Sequence, residues 1–170
     1  MIVSPEILRS NVDYNAWANL RLLDAAAKLA PKDLTHDFQT ADRSILQTLV
    51  HIFGADRVWL ARLTGAPSDI FLTDADRSLE ALQNNWPPLL EGWKLFAASL
   101  TDEQPESEIE YRDLKGRPWK QPLWQLMLHV VNHGTHHRGQ VAGFLRTLGH
   151  TPPPLDMTFY YRREWVVEVL

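Results

Sequence analysis

The chain has no cysteine. Disulfides, thiolate metal ligands and a cysteine nucleophile are excluded together, so any metal site must be built from histidine, carboxylate or water. Charge of one sign is equally scarce. Seventeen Lys and Arg against 21 Asp and Glu leave a net charge of −4, which offers no basic footprint for a phosphate backbone and argues against a nucleic-acid partner. No run of roughly eighteen apolar residues is present to span a bilayer, and MIVSPEILRSN lacks the basic-then-apolar order of a secretory signal. The expectation is a cytoplasmic protein with no membrane partner. Glycine-rich phosphate loops, internal repeats and low-complexity runs are also missing. What remains is an ordinary globular balance, 45% hydrophobic and 22% charged over 170 residues, read as one domain spanning residues 1–170.

The apolar residues recur with a helical period. Ser4-Pro5-Glu6 has the order of an N-cap, a first-turn proline and an early acid. Leu8, Val12, Asn15, Asn19, Leu22, Ala26 and Leu29 then follow at spacings of four and three, the seam of a bundle helix that Pro31 ends. Residues 31–43 read as a polar connection. Ser44 to Gln47 has the form of a capping box and opens a second helix to about Leu63, with Thr64-Gly65 as its stop. Thr73 to Asp76 resembles another start, and Leu79, Leu82, Trp86, Leu89, Trp93, Phe96 and Leu100 continue the pattern across Pro87-Pro88, predicting two short helices or one bent rod. Between Glu108 and Gln121, alternation of Ile109 and Tyr111 with charges and a Lys115-Gly116 turn predict a small β-hairpin. Pro122 suits the first position of the last long helix and Gly149 its end; Pro152 to Pro154 then lead into a short amphipathic tail, Leu155 to Leu170. The fold class is all-α, a four-helix bundle with long connections. Seven tryptophans, with apolar residues on more than one side of the second helix, leave area that suggests a homodimer.

Four of the seven histidines, His129, His133, His136 and His137, fall within nine consecutive residues of that last helix. At about 100° per residue, His133 and His137 lie one turn apart on one face. With His133 as zero, Leu126 and Phe144 fall at about +20°, Val130 and Leu148 at about +60°, Leu123 and Val141 at about +80°. The apolar stripe is centred at about +60°, which puts His137 inside it and His133 at its border. His129 and His136 turn toward solvent and read as surface or outer-shell residues. A single histidine on an apolar face is usually a satisfied core residue. A pair must find partners for four ring nitrogens, and one shared metal ion satisfies two of them. The spacing lacks the acid of HExxH, because Gly134 stands in its place, which disfavours a zinc protease. In the first helix, Asn15 and Asn19 stand where apolar residues would pack better; they read either as a register-setting contact or as the lining of a polar pocket at mid-bundle.

YNAWAN at Tyr14 to Asn19, LVHIFGADRVWLARLTG at Leu49 to Gly65 and HVVNHGTHHRGQVAGFLRTLG at His129 to Gly149 resemble the DinB/YfiT-like family of metalloenzymes. The resemblance implies a four-helix bundle and a divalent metal ion, often nickel or zinc, held by one histidine of the second helix and the HxxxH pair of the last. Those positions are His51, His133 and His137 here. Periodicity alone does not nominate His51, which lies well away from the apolar face of its helix. Members of the family resemble thiol transferases, thiol-dependent isomerases or metal-dependent hydrolases. The isomerase branch carries an acid at the place of His133, and this chain departs from it. Two functions are therefore expected: a metal-dependent enzyme acting on a small molecule, with a low-molecular-weight thiol as partner and thiol transfer ahead of hydrolysis, or a protein whose metal is structural or sensory. An acid such as Asp156 closing the fourth position would mark the second.

Overall fold

The computed structural model describes residues 3–66, 71–113 and 115–163. Among them the elements are α1 Pro5–Ala26, α2 Pro31–Leu34, α3 Ile45–Thr64, α4 Leu79–Ala98, β1 Glu108–Arg112, β2 Pro118–Pro122, α5 Leu123–Thr147 and α6 Met157–Arg162. The four long helices form the bundle, α1 and α3 each packing against both α4 and α5. α1 is therefore diagonal to α3, and α4 to α5. The small hairpin, with Ile109 opposite Gln121 and Tyr111 opposite Trp119, lies in the long connection that leads from α4 to α5.

Local chemistry sets the helix ends. The hydroxyls of Ser4, Ser44 and Ser78 accept from the backbone N–H groups of Ile7, Gln47 and Ala81, satisfying donors that have no partner inside the helix. α3 stops at Gly65 and α5 at Gly149, both left-handed at φ 67° and 83°. Past α5, the N–H groups of Gly149 and His150 turn back to the carbonyls of Arg146 and Leu145.

The elements differ from the sequence expectation in three places. Pro122 is the N-cap of α5, not its first helical residue, because it still belongs to β2. The connection after α1 contains the single turn α2, started by Pro31. Thr73 to Asp76 makes only a 3-10 turn, its box closed by the Asp76 carboxylate, and α4 waits for Ser78. Of the two expectations for α4, two short helices or one rod, the single helix is found, running through Pro87-Pro88. The carbonyls that lose a donor there belong to Gln83 and Asn84, both exposed, where water can replace it.

The core is two apolar layers. One holds Leu22, Ile45, Leu49, Ile52, Phe53, Leu82, Trp86, Val141 and Leu145, the other Leu8, Val12, Trp93, Ala97, Leu123, Met127 and Val130. α1 and α5 thus run one way and α3 and α4 the other. Between the layers four buried polar residues face one another: Asn15, Asn19, Asp56 and Arg138, at 4%, 0%, 1% and 2% exposure. Outside, Tyr160 of α6 packs on Tyr14 and Trp17, and the Tyr14 hydroxyl donates to the Leu155 carbonyl. The rest of the expected tail, residues 164–170, lies outside the described residues. Among the described residues no helix is long and apolar enough to cross a membrane.

Candidate metal centre

α3 and α5 pack side by side, and His51 of α3 meets His133 and His137 of α5 along their shared edge. The ring centroids of His51 lie 4.9 Å from His133 and 4.4 Å from His137, and those of His133 and His137 are 4.5 Å apart. His51 Nε2 points at His133 Nε2 across 3.0 Å. One ring nitrogen from each residue lies within 4.8 Å of the others. Tetrahedral zinc with bonds of 2.0–2.1 Å separates its ligand nitrogens by ~3.3 Å, so side-chain adjustments of an ångström or so bring the three rings onto one ion. The three histidines can hold one metal ion, and among the described residues no fourth histidine or acid joins the group.

The local electrostatics keep the rings available. Burial first, and then the neighbouring histidines, His137 and His51 foremost, together push the His133 imidazole down to about 3. Burial also lowers His137, against the opposing pull of its Gln140 hydrogen bond and the Asp42 charge. Both rings are therefore neutral at pH 7, the state in which a ring nitrogen has a lone pair to give. His137 Nδ1 lies 2.7 Å from Gln140 Oε1 and 3.4 Å from Asp42 Oδ2.

His129 and His136 stand outside the trio and are exposed. His129 sits edge-on to Trp59 of α3, with centroids 5.4 Å apart, and His136 Nε2 is 3.4 Å from Gln140 Nε2. The trio itself is only half sheltered: His51 is exposed, and the other two are partly buried. The buried face of α5, which includes Val130, Gly134, Arg138, Val141 and Leu145, is rotated about 40° from the apolar stripe. The shift arises because Met127, Val131 and Leu145, apolar residues outside that stripe, and Gly134 and Arg138, which carry no apolar signal, all belong to that face. It leaves His133 and His137 on the flank turned to α3.

Along the chain the family model for the DinB family matches residues 5–166. The chain belongs to the DinB family. It is also similar to the protein named Protein DinB of Bacillus subtilis (strain 168), 28% identical over an aligned length of 157 that covers 87% of this chain and 90% of that protein. Membership in the DinB family and the three-histidine cluster together fit a metal-binding protein of that family.

Asn15 and Asn19, the other residues singled out in the sequence, are not brought to the histidines. Their amides donate to the Asp56 carboxylate at 3.5 and 3.1 Å and accept from Arg138 Nη1 at 2.6 and 2.7 Å. Trp86 Nε1 also donates to that carboxylate at 2.8 Å, and Trp93 Nε1 to the Asp56 carbonyl at 2.9 Å. Arg138 Nη2 donates to the Thr135 hydroxyl at 2.9 Å, and its guanidinium stacks over Tyr14 at 5.3 Å. A Cβ on Gly134 would lie 2.6 Å from Arg138 Nη1 and 2.7 Å from Asn15 Oδ1, so glycine is what lets the guanidinium pass. Asp156, a possible fourth ligand on sequence grounds, instead caps α6 with its carbonyl. The sequence reading passes over Asp56, Arg138, Asp42 and Gln140. The signal for the first two is present: each interrupts an apolar seam, Ile45-Leu49-Ile52-Asp56 and Val130-Gly134-Arg138-Val141. Nothing in the pattern marks Asp42.

Proposed function

We propose that the protein holds one divalent ion, nickel or zinc, through His51, His133 and His137 and acts on a small molecule, with thiol transfer favoured over hydrolysis. The observation that carries this reading is the convergence of three imidazoles, two of them Nε2 to Nε2 at 3.0 Å, with His51 exposed to solvent. Two facing lone pairs repel unless a proton or a cation stands between them, and a cation serves all three rings at once. When bound, the ion supplies Lewis acidity, lowering a protic ligand toward about 7 for water on zinc and a small thiol below its usual value of about 8.5. The protein's part is positional: α3 and α5 fix the three nitrogens, and the exposed side of His51 leaves room for a small molecule to approach. With no cysteine in the chain, a thiol nucleophile has to come from outside.

The test is metal analysis of the purified protein, followed by thiol titration of the cobalt form and an assay of conjugation to a generic electrophile. A thiolate-to-metal charge-transfer band that disappears in the His51→Ala variant is the expected result. Metal-dependent ester or amide cleavage with no thiol response would establish hydrolysis instead. A second reading, a metal that only stabilises or senses, is favoured by the cavities. Clefts of about 500, 470 and 400 Å³ lie along α5 and the tail, on the hairpin and between α1 and the end of α5, and none is lined by the three histidines. Metal binding without any activity would select it. The homodimer belongs to the same proposal. Ile7 and Leu95, on α1 and α4, are 52% and 65% exposed, and sedimentation showing a single monomer-sized species at micromolar concentration would exclude their pairing.

A further inference from the structure

The loop before α3 stacks Phe38 on Phe144 of α5 and is closed by a set of polar contacts. Gln39 and Arg43 both adopt left-handed backbone, at φ 58° and 59°, which non-glycine residues seldom do without compensation. The Asp37 carboxylate provides it, accepting from Gln39 N at 2.8 Å and from Arg43 Nε and Nη2 at 3.1 and 2.8 Å. Phe38 N donates to the Arg43 carbonyl at 2.7 Å and Ser44 N to the Asp42 carbonyl at 2.6 Å. The closed loop projects one side chain toward the histidines, that of Asp42, whose Oδ2 lies 3.4 Å from His137 Nδ1. The same nitrogen faces Gln140 Oε1 at 2.7 Å, while the Gln140 amide nitrogen is turned to His136.

An ionised carboxylate only accepts, so the nitrogen it faces must carry the hydrogen. That settles both the orientation of Gln140, whose oxygen shares the acceptor side, and the tautomer of His137, whose Nε2 keeps the lone pair. We propose that Asp42 and Gln140 are positioning residues for the metal centre: they hold His137 as the Nδ1–H tautomer with Nε2 as ligand, and Asp42 supplies the negative charge that three neutral imidazoles lack. The inference rests on the metal-binding reading above. Loss of an outer partner of this kind commonly weakens a metal site by a factor of about 10 to 100. The strained loop is then explained, since its geometry is what brings a carboxylate to a ring nitrogen on a different helix.

The experiment is zinc competition against a chromophoric chelator for wild type, Asp42→Asn, Gln140→Glu and the double variant, with nitrogen NMR of the His137 ring as a second readout. Asp42→Asn keeps the side-chain shape and removes the charge; it should weaken zinc binding by about 10- to 100-fold and lose the fixed Nδ1–H signal. Gln140→Glu returns a charge to the acceptor at 2.7 Å, and the double variant should recover affinity to within a factor of about three of wild type. Tight wild-type binding that Asp42→Asn leaves unchanged would overturn this inference and spare the metal centre. Weakened binding that Gln140→Glu fails to rescue would also overturn it, reducing Asp42 to a loop-shaping residue. No binding by the wild type would remove the metal centre and the inference with it.

Discussion

The polar layer at mid-bundle and the histidine cluster beside it both draw on α3 and α5, the layer on α1 as well, yet their partners are matched in opposite ways. In the layer, each contact joins unlike groups: Asn15 and Asn19 donate to Asp56 and accept from Arg138, so two amides stand between a buried anion and a buried cation. In the cluster, like faces like. Three imidazoles converge, two of them facing Nε2 to Nε2, while the acid and amide beside them, Asp42 and Gln140, meet the Nδ1 of His137. A polar group inside a bundle that has found its complement is holding the fold, and one whose neighbours are its own kind still requires something. Among the described residues the layer accounts for four of the seven buried polar or charged ones, and its one side-chain group without a partner there is Arg138 Nε.

The largest expected effect breaks the layer. Arg138→Met leaves Asp56 as an uncompensated buried charge, and urea unfolding should show a loss of about 3–5 kcal/mol. Combining it with Asp56→Leu should cost less than the sum of the two single changes, since no charge is then left alone. An additive pair would mean that the two residues are not coupled through the asparagines. The cluster, by contrast, should respond to ligand. Zinc at 100 times its dissociation constant should stabilise the wild type by about 2.7 kcal/mol, read as a shift in melting temperature, and should do nothing for His133→Ala. His129→Ala and His136→Ala should retain the shift; a His129 variant that lost it would relocate the site along α5.

Acid sharpens the contrast in the metal-free protein, because the two regions titrate with opposite sign. Burial raises Asp56 from the ordinary 3.8 to about 6, although Trp86 and the two asparagines hydrogen-bond it. Between those values the folded chain holds a proton that the unfolded chain has released. The contribution of Asp56 to stability is therefore greatest below the window and falls as pH rises through it. His133 is lowered from 6.5 to about 3, so the unfolded chain binds the proton first; its contribution is present above pH 6.5 and is lost as pH falls toward 3. Urea midpoints from pH 7 to 4 in chelator should accordingly fall less steeply for His133→Asn than for wild type, and more steeply for Asp56→Asn. Equal slopes for all three would remove the contrast.

A smaller comparison lies within α5. Gly134→Ala places a methyl against Arg138 and Asn15 and should destabilise by about 1–3 kcal/mol. Gly139→Ala meets nothing within 4 Å on the same helix and should stabilise by up to about 1 kcal/mol through helix propensity. If both were neutral, Arg138 would have another route into the core.

The bundle was legible in the chain because its causes are local. Ser44 before an apolar run, Gly65 and Gly149 after one, and Leu8-Val12-Leu22 at helical spacing each act over a few residues. The pair His133 and His137 was legible for the same reason, as one turn of one helix sets their spacing. Periodicity misjudged what interrupts a pattern. Asp56 and Arg138, being charged, dropped out of the stripes they in fact complete, whereas across Pro87-Pro88 the single-rod alternative formed, since exposed carbonyls lose little without a helix donor. His51 came from family resemblance and not from its own helix, on which it lies outside the apolar face. Only the tertiary structure brings His51 against His133, threads Arg138 past Gly134 to two asparagines of α1, and turns the 37–43 loop so that Asp42 reaches His137. Those contacts join residues from 82 to 123 positions apart, and sequence periodicity contains no record of which helix faces are turned toward each other.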